Sequence, residues 1–511
     1  MLNKARQFLS NRIIWLWLII IGALILRLFL LGHKPFWIDE GVTWFIGTGE
    51  IRSDFDPALY YKILGLAIQV FGGSEYASRL PSALFGWLSV IMLYVTGKEL
   101  FGIRYGLLTA GASAVSAYLV SMSQEARLYS LIGLEIIIIL YFYFRILREE
   151  KNKQLNWAGL FLASIIALYT FTLFIFFLFY LSVLLLILRR RELQRLLIRV
   201  EIFAVCLIIF YLPQLLDAAA KTSKRRHLID LDILHLKVNV ARVIRAGYVF
   251  LCGEDITRPA VNAVHFGSAQ AGGYILAAAV GIILAGVVFL IVRTFIKSYR
   301  SRDFEGKFVQ SNFYLAALFS LTFFLIAVSS ARHMIFIFIP LIYLLAYSVL
   351  KIGKRLYFIV GIYLLLSFIS LFVYYRQPKF IYEDIDWREV GLFLCKNLQA
   401  GDGIFFAGGR NAFFAVKYYS GEMEQDVYYR FRPDDPDQQA GRPQIIWDRT
   451  SITVQDCAAE LLSKYRRLWV LESDFRWNED TGVLRDYEAK IWNFGTMLQV
   501  RLYMKKMMND E

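Results

Sequence analysis

Apolar residues occupy the chain in long runs separated by short polar stretches rich in Lys and Arg, and runs of this length predict helices that cross a bilayer rather than the half-buried helices of a soluble domain. The candidate spans are 13–31, 82–97, 105–121, 129–147, 157–172, 173–188, 200–213, 272–293, 312–329, 333–350 and 356–375. They give about eleven crossings. The stretch 157–188 is short for two helices, because a crossing takes roughly 20 residues, so parity requires two short or tilted ones. From Arg376 onward the pattern changes, and no further long apolar run occurs before Glu511. There Asp386–Leu398 and Asn411–Tyr419 read as helices, and Gly403–Ala407 and Arg467–Leu471 as buried strands.

The expected architecture is therefore a polytopic α-helical membrane domain over 1–375 and a soluble α/β domain over 376–511. Composition supports this, with 58% hydrophobic residues and only 19% charged. A cleaved signal peptide does not explain the first run, since Ile13–Leu31 is long and is followed by His33-Lys34-Pro35 rather than small residues. The net charge of +14 does not predict nucleic-acid binding. The basic residues cluster between apolar runs, at Lys4–Arg12, Lys98–Arg104, Arg145–Lys153, Arg189–Arg199, Arg293–Lys307 and Lys351–Arg355, as the positive-inside rule requires. Taking those clusters as cytoplasmic puts the amino terminus inside. The outward segments are then 32–81, 122–128, 214–271 and the tail. Four cysteines show no metal-ligand spacing, and Cys395 and Cys457 either pair or stay reduced. Gly408-Gly409 lacks the context of a phosphate loop.

Chemistry is concentrated on the outward segments. Asp39 and Glu40 follow the first span in Phe36-Trp37-Ile38-Asp39-Glu40; such a pair either caps a short helix near Gly41 as a solvated turn or belongs to a site. Arg79 stands before the second span, Glu125 and Arg127 lie in Ser123-Gln124-Glu125-Ala126-Arg127-Leu128-Tyr129, and Arg332 and His333 begin the tenth. Each arginine alone reads as a snorkelling anchor. Together these residues set carboxylates beside cations at one membrane face, which suits binding a phosphate while removing a proton from a hydroxyl. Asp56-Pro57 starts a helix along the membrane surface in which Tyr60 and Tyr61 suit the interface. Inside the spans, Arg27 and Glu135 lie at compatible depths and are expected to pair.

These motifs resemble, in order and spacing over roughly the first 135 residues, the GT-C superfamily of membrane glycosyltransferases, in the branch of the protein O-mannosyltransferases and the lipid A aminoarabinose transferase. The resemblance implies an integral protein of a prokaryotic inner membrane. It implies inverting transfer of a hexosyl or pentosyl group from a polyprenyl-phosphate carrier to a lipid, glycan or protein hydroxyl at the outer face. Asp39 would be the general base, Glu40 a positioning acid and Glu125 a second acid. Arg79, Arg127 and Arg332 would neutralise the leaving phosphate, and Asp56, Tyr60, Tyr129 and His333 would line the site. Many relatives carry His or Lys before a Pro-Pro-Leu-Tyr run where this chain has Asp56-Pro57-Ala58, so the resemblance does not carry a phosphate or metal contact to this position; Asp56 either adds a carboxylate for a divalent cation beside Asp39 or binds none, since two carboxylates alone do not make a metal site. With the basic residues Lys221, Lys224, Arg225, Arg226, His227, Arg242 and Arg245, 214–271 is either a lid over the donor or a solvated loop. The alternatives are a transporter or flippase of a lipid-linked saccharide, expected to show an internal repeat and broken helices at the midplane, and an assembly factor without activity.

Overall fold

The computed structural model describes residues 12–51, 59–148, 153–223, 247–251, 271–325, 331–352, 357–378, 385–407, 410–421, 426–429, 454–473, 487–494 and 498–505. They fall into two compact units. The first takes the described residues of Met1–Leu31, Ser53–Ala219 and His227–Gln377, and the second those of Gly32–Arg52, Ala220–Arg226 and Pro378–Glu511.

The first unit is helical, and the described part of every apolar run lies mainly on one helix or, for 105–121, on two. Five helices, Glu75–Phe101, Tyr129–Arg148, Leu193–Pro213, Val280–Ser298 and Arg332–Lys351, are long and apolar enough to cross a membrane, or six if one bent pair counts as a span. The other runs do not meet that measure among the described residues, so the count of eleven rests on hydropathy alone. The short stretch 157–188 does form two helices, Lys153–Thr170 and Phe174–Leu188. Many large apolar side chains on these helices face outward, among them Trp17, Leu162, Ile208, Phe289 and Phe368, as a bilayer-facing surface requires. Several interior polar groups are satisfied across helices. Tyr105 Oη donates to Tyr343 O at 2.8 Å, Tyr143 Oη meets Ser311 Oγ at 3.0 Å, and Thr294 Oγ1 meets Ser348 Oγ at 2.9 Å.

Two expectations are corrected. The run 105–121 is not one helix: Ile103–Ala114 and Ala117–Ser123 meet at a 63° bend. Ser116 restarts the chain there by accepting from the Leu119 amide as N-cap. Arg27 and Glu135 do not pair. Buried Arg27 instead donates to the carbonyls of Ser113 and Ala114, the helix-end acceptors that the bend leaves without intrahelical partners. Glu135 accepts from Thr170 Oγ1 at 2.6 Å. The helix that holds the span Leu193–Pro213 continues to Ser223 and carries Lys221 with it. Lys224, Arg225, Arg226, His227, Arg242 and Arg245 lie outside the described residues.

The second unit is built on a five-stranded sheet of order β2-β1-β3-β5-β4. Its strands are β1 (Gly403–Phe406), β2 (Asp426–Tyr429), β3 (Arg467–Ser473), β4 (Tyr487–Phe494) and β5 (Leu498–Lys505). The first three run parallel, and β5 pairs antiparallel with both β3 and β4. The Trp387–Asn397 helix is capped by Asp386, whose side chain accepts from the amides of Arg388 and Glu389. Trp387, Val390 and Leu394 pack with Ile404, Phe406, Trp469 and Leu471 in one core. Asp402 closes the start of β1, accepting from Trp469 Nε1 at 2.8 Å and lying 3.1 Å from Arg467 Nε. Cys395 is exposed and free, and the side chain of Cys457 lies outside the described residues.

Candidate active site

The stretch after the first span is held from both of its ends, each within its own unit. In the first unit the helix Arg12–Leu28 runs out of intrahelical donors for its last carbonyls, and distant side chains supply them. Gln124 Nε2 donates to the carbonyls of Leu26, Arg27 and Phe29, at 3.2, 3.1 and 2.7 Å. Tyr375 Oη donates to Leu26 O, and Arg79 Nη1 to Leu31 O at 3.0 Å. Arg79 is buried, so the structure gives this arginine a backbone-anchoring task at the end of the chain segment from which Asp39 follows eight residues later.

In the second unit Asp39 and Glu40 sit in the first turn of the helix Ile38–Thr48, where the helix dipole favours negative charge. The solvated-turn reading fails for Glu40, which is fully buried, while Asp39 is half-buried. The turn is docked on the helix Arg410–Ser420. The Phe36 amide donates to Tyr419 Oη at 2.6 Å, and the Phe36 ring lies 4.6 Å from that of Tyr418. Trp44 meets Tyr418 and Phe45 meets Phe414 at 5.3 and 5.2 Å. Gly41 makes this approach possible: a Cβ there would stand 3.0 Å from the backbone N and Cα of Ala415. Lys417 adds an ion pair to Glu50 at 2.8 Å. None of the contacting residues in Arg410–Ser420 was singled out from sequence. The signal available was the aromatic pair Phe414 and Tyr418, one helical turn apart on one face.

The other candidates lie in the first unit. Glu125 is fully buried and forms an ion pair with Arg332, Nε to Oε2 3.2 Å. The Arg332 carbonyl accepts from Tyr118 Oη at 2.9 Å, which fixes the short 3-10 turn Ala331–Met334. His333 stacks on Phe171 and meets the edge of Tyr129. The guanidinium of Arg127 lies over the Tyr129 ring at 5.7 Å, and its carbonyl accepts from Ser82 Oγ at 2.9 Å. Ser82 Oγ in turn meets Tyr60 Oη at 2.8 Å. Tyr60, Ser82, Arg127, Tyr129, His333, Arg332 and Glu125 are thus brought into one linked constellation within this unit. Asp56 lies outside the described residues, and the described helix there is Leu59–Phe71. Among the described residues no three His, Cys, Asp or Glu side chains gather as a metal site. An apolar cavity of about 640 Å³ opens among the helices Arg12–Leu28, Ile103–Ala114, Ile335–Ile352 and Tyr357–Arg376.

Residues 56–215 match the family model described as dolichyl-phosphate-mannose-protein mannosyltransferase. Among solved structures the chain is similar to ArnT from Cupriavidus metallidurans in the apo state, at 14% identity, TM-score 0.51, covering 96% of this chain and 97% of that one. It is also similar to the archaeal oligosaccharyltransferase AglB from Archaeoglobus fulgidus in complex with an inhibitory peptide and a dolichol-phosphate. That likeness is at 12% identity, TM-score 0.53, with 99% and 75% covered.

The fold is that of the GT-C membrane glycosyltransferases. The apo form of the Archaeoglobus fulgidus enzyme gives the same likeness, with 12% identity, TM-score 0.53, and 98% and 75% covered. No curated protein matches the sequence. At these identities the GT-C likeness carries the architecture and leaves the residue roles to the chain's own chemistry.

Proposed function

We propose that the protein is an inverting glycosyltransferase that moves a hexosyl or pentosyl group from polyprenyl phosphate to an acceptor hydroxyl at the outer face of the membrane. The observation that carries this reading is the match of residues 56–215 to a lipid-phosphate-sugar transferase model. The solved AglB complex, with its dolichol-phosphate and peptide, supports a lipid-linked donor and a separate acceptor. The clustering of Lys and Arg between apolar runs supports a cytoplasmic amino terminus and an extracytoplasmic tail.

In this reading Asp39 accepts the acceptor's hydroxyl proton as its oxygen attacks the anomeric carbon from the face opposite the phosphate. The new glycosidic bond forms, the carbon–phosphate-oxygen bond breaks with inversion, and polyprenyl phosphate leaves. An ionised Asp serves because the hydroxyl becomes acidic only as the bond forms. Glu40 positions this turn from its buried place. Arg127 and Arg332 offset the charge that develops on the leaving phosphate, with Glu125 orienting Arg332. Arg79, which also donates to the Leu31 carbonyl, is the third cation for that phosphate. The apolar cavity takes isoprenoid chain.

The test is to give purified protein a radiolabelled polyprenyl-phosphate sugar with an extract of envelope acceptors. Release of unlabelled polyprenyl phosphate with transfer of label supports the reading. Donor that is bound or moved between leaflets but never consumed would replace it with the flippase reading.

A further inference from the structure

At the Arg148 end of the Tyr129–Arg148 helix, well away from the constellation around Tyr129, a second polar cluster has no part in the reaction. Twenty residues at 1.5 Å each separate the two ends by about 30 Å, a bilayer's hydrocarbon thickness. Arg145, Lys153, Asn156, Arg189 and Arg199 surround a small recess there. Two cations are already engaged: Arg145 with Glu99 at 3.1 Å, and Arg189 with Glu192 and with the Ile146 carbonyl. Exposed Lys153 and Arg199 add two further positive charges, and exposed Glu201 is near Arg199 in sequence.

Asn156 sets this apart from an ordinary basic loop. Its side chain is 2% exposed, and its Nδ2 has no hydrogen-bond partner among the described residues. A buried amide donor left unpaired costs roughly 1–3 kcal/mol, so its retention points to an acceptor that the recess receives from outside. The first turn of the helix Lys153–Thr170 also turns its positive end to this place.

The recess does not end at the charges. Through Lys153, Trp157 and Arg199 it continues into a cleft of about 430 Å³ between the helices Lys153–Thr170 and Leu193–Ser223. The cleft is floored by Phe161 and Phe203, 6.2 Å apart, and reaches Cys206. Arg199 to Cys206 is seven residues, so the apolar part runs on the order of 10 Å along the helix. A free anion would use the charges and leave this cleft empty.

We propose that recess and cleft together form a binding site for an anionic phospholipid of the leaflet at the Arg148 end. Its phosphate takes the Asn156 amide and the Lys153 and Arg199 cations, and the first part of an acyl chain lies along the cleft over Phe161 and Phe203. The site is separate from the glycosyl-transfer reading and does not rest on it.

The test uses the full chain, purified in a mild zwitterionic detergent, with lipid retention read by native mass spectrometry against added phosphatidylglycerol, phosphatidylcholine or inorganic phosphate. One Lys or Arg near an anionic lipid changes affinity roughly five-fold. The double variant Lys153→Gln/Arg199→Gln is therefore expected to lose phosphatidylglycerol affinity by about 25-fold, and Asn156→Leu to lose it with both charges kept. Quenching by brominated phosphatidylglycerol should fall in Trp157→Phe. Equal affinity for phosphatidylcholine, unchanged retention in the double variant, or competition by millimolar inorganic phosphate without chain-dependent quenching would each overturn the proposal. Folding of each variant is checked by its elution and thermal transition. A variant that fails to fold is replaced by the single change Arg199→Gln, for which about five-fold is expected.

Discussion

Tyr419→Phe removes one atom, and its consequence can be worked out from the docked turn. The Phe36 amide, on a fully buried residue, donates to Tyr419 Oη at 2.6 Å, three residues before Asp39. Phenylalanine keeps the ring and its packing beside Tyr418 but leaves that amide unpaired. Stranding a buried donor costs roughly 1–3 kcal/mol. If about 1–2 kcal/mol of that appears as loss of the docked turn, turnover falls by about 5- to 30-fold, at 1.36 kcal/mol per factor of ten. The KM for donor should hold, because the perturbation acts on the base and not on the phosphate contacts. Gly41→Ala is the independent arm: its methyl would stand 3.0 Å from the Ala415 backbone, and overpacking of this kind costs typically 1–3 kcal/mol. Steady-state donor consumption over a range of donor concentrations measures both. Wild-type turnover in both variants would refute the idea that Arg410–Ser420 holds the Asp39 turn.

Arg332→Ala should destabilise the protein by about 3–5 kcal/mol, because it breaks an ion pair of fully buried Glu125; Arg332→Gln/Glu125→Gln should recover most of that in a thermal unfolding series. Arg127→Ala should weaken polyprenyl-phosphate binding in a direct titration while leaving the thermal transition nearly unchanged, and an unaltered dissociation constant would return Arg127 to a packing role over Tyr129. In the sheet, burial raises the Glu472 carboxyl above its ordinary value, with Arg501 opposing. Since the folded value lies above the unfolded one, the contribution is fully present below pH 4.5 and is lost as pH rises through the raised value. Glu472→Gln should therefore raise the thermal transition at neutral pH and leave it unchanged in acid.

Much of the architecture was legible because hydropathy has a long period and a large amplitude. The described part of each apolar run lies mainly on one helix or, for 105–121, on two, and the four elements read in the tail are present: Trp387–Asn397, Gly403–Phe406, Arg410–Ser420 and Arg467–Ser473. What hydropathy does not encode is a break. The run 105–121 stays apolar through the bend at Val115-Ser116, which is made by a cap and by Arg27 reaching the freed carbonyls. The Arg27–Glu135 pair failed for the same reason: depth matching finds compatible charges, but backbone carbonyls and a threonine hydroxyl were closer partners. β2, β4, β5 and the helix Val454–Lys464 were missed although β5 alternates Leu498, Val500, Leu502 and Met504 with Gln499, Arg501 and Lys505, because short elements stand out little beside the long apolar runs. The motif residues were legible as a set. Their division of labour was not, since Gln124 and Arg79 proved to hold backbone and the partners of the Asp39 turn lie more than 370 residues further along the chain.

The central claim is that Asp39 is the base of a polyprenyl-phosphate-dependent transfer, and consumption of a radiolabelled donor by Asp39→Asn beside the wild type tests it most directly. The account predicts that wild type consumes donor, that Asp39→Asn binds polyprenyl phosphate normally, and that its turnover falls by at least about 100-fold, the lower end of what a general base contributes. Turnover near the wild-type rate in a folded, donor-binding Asp39→Asn would contradict it.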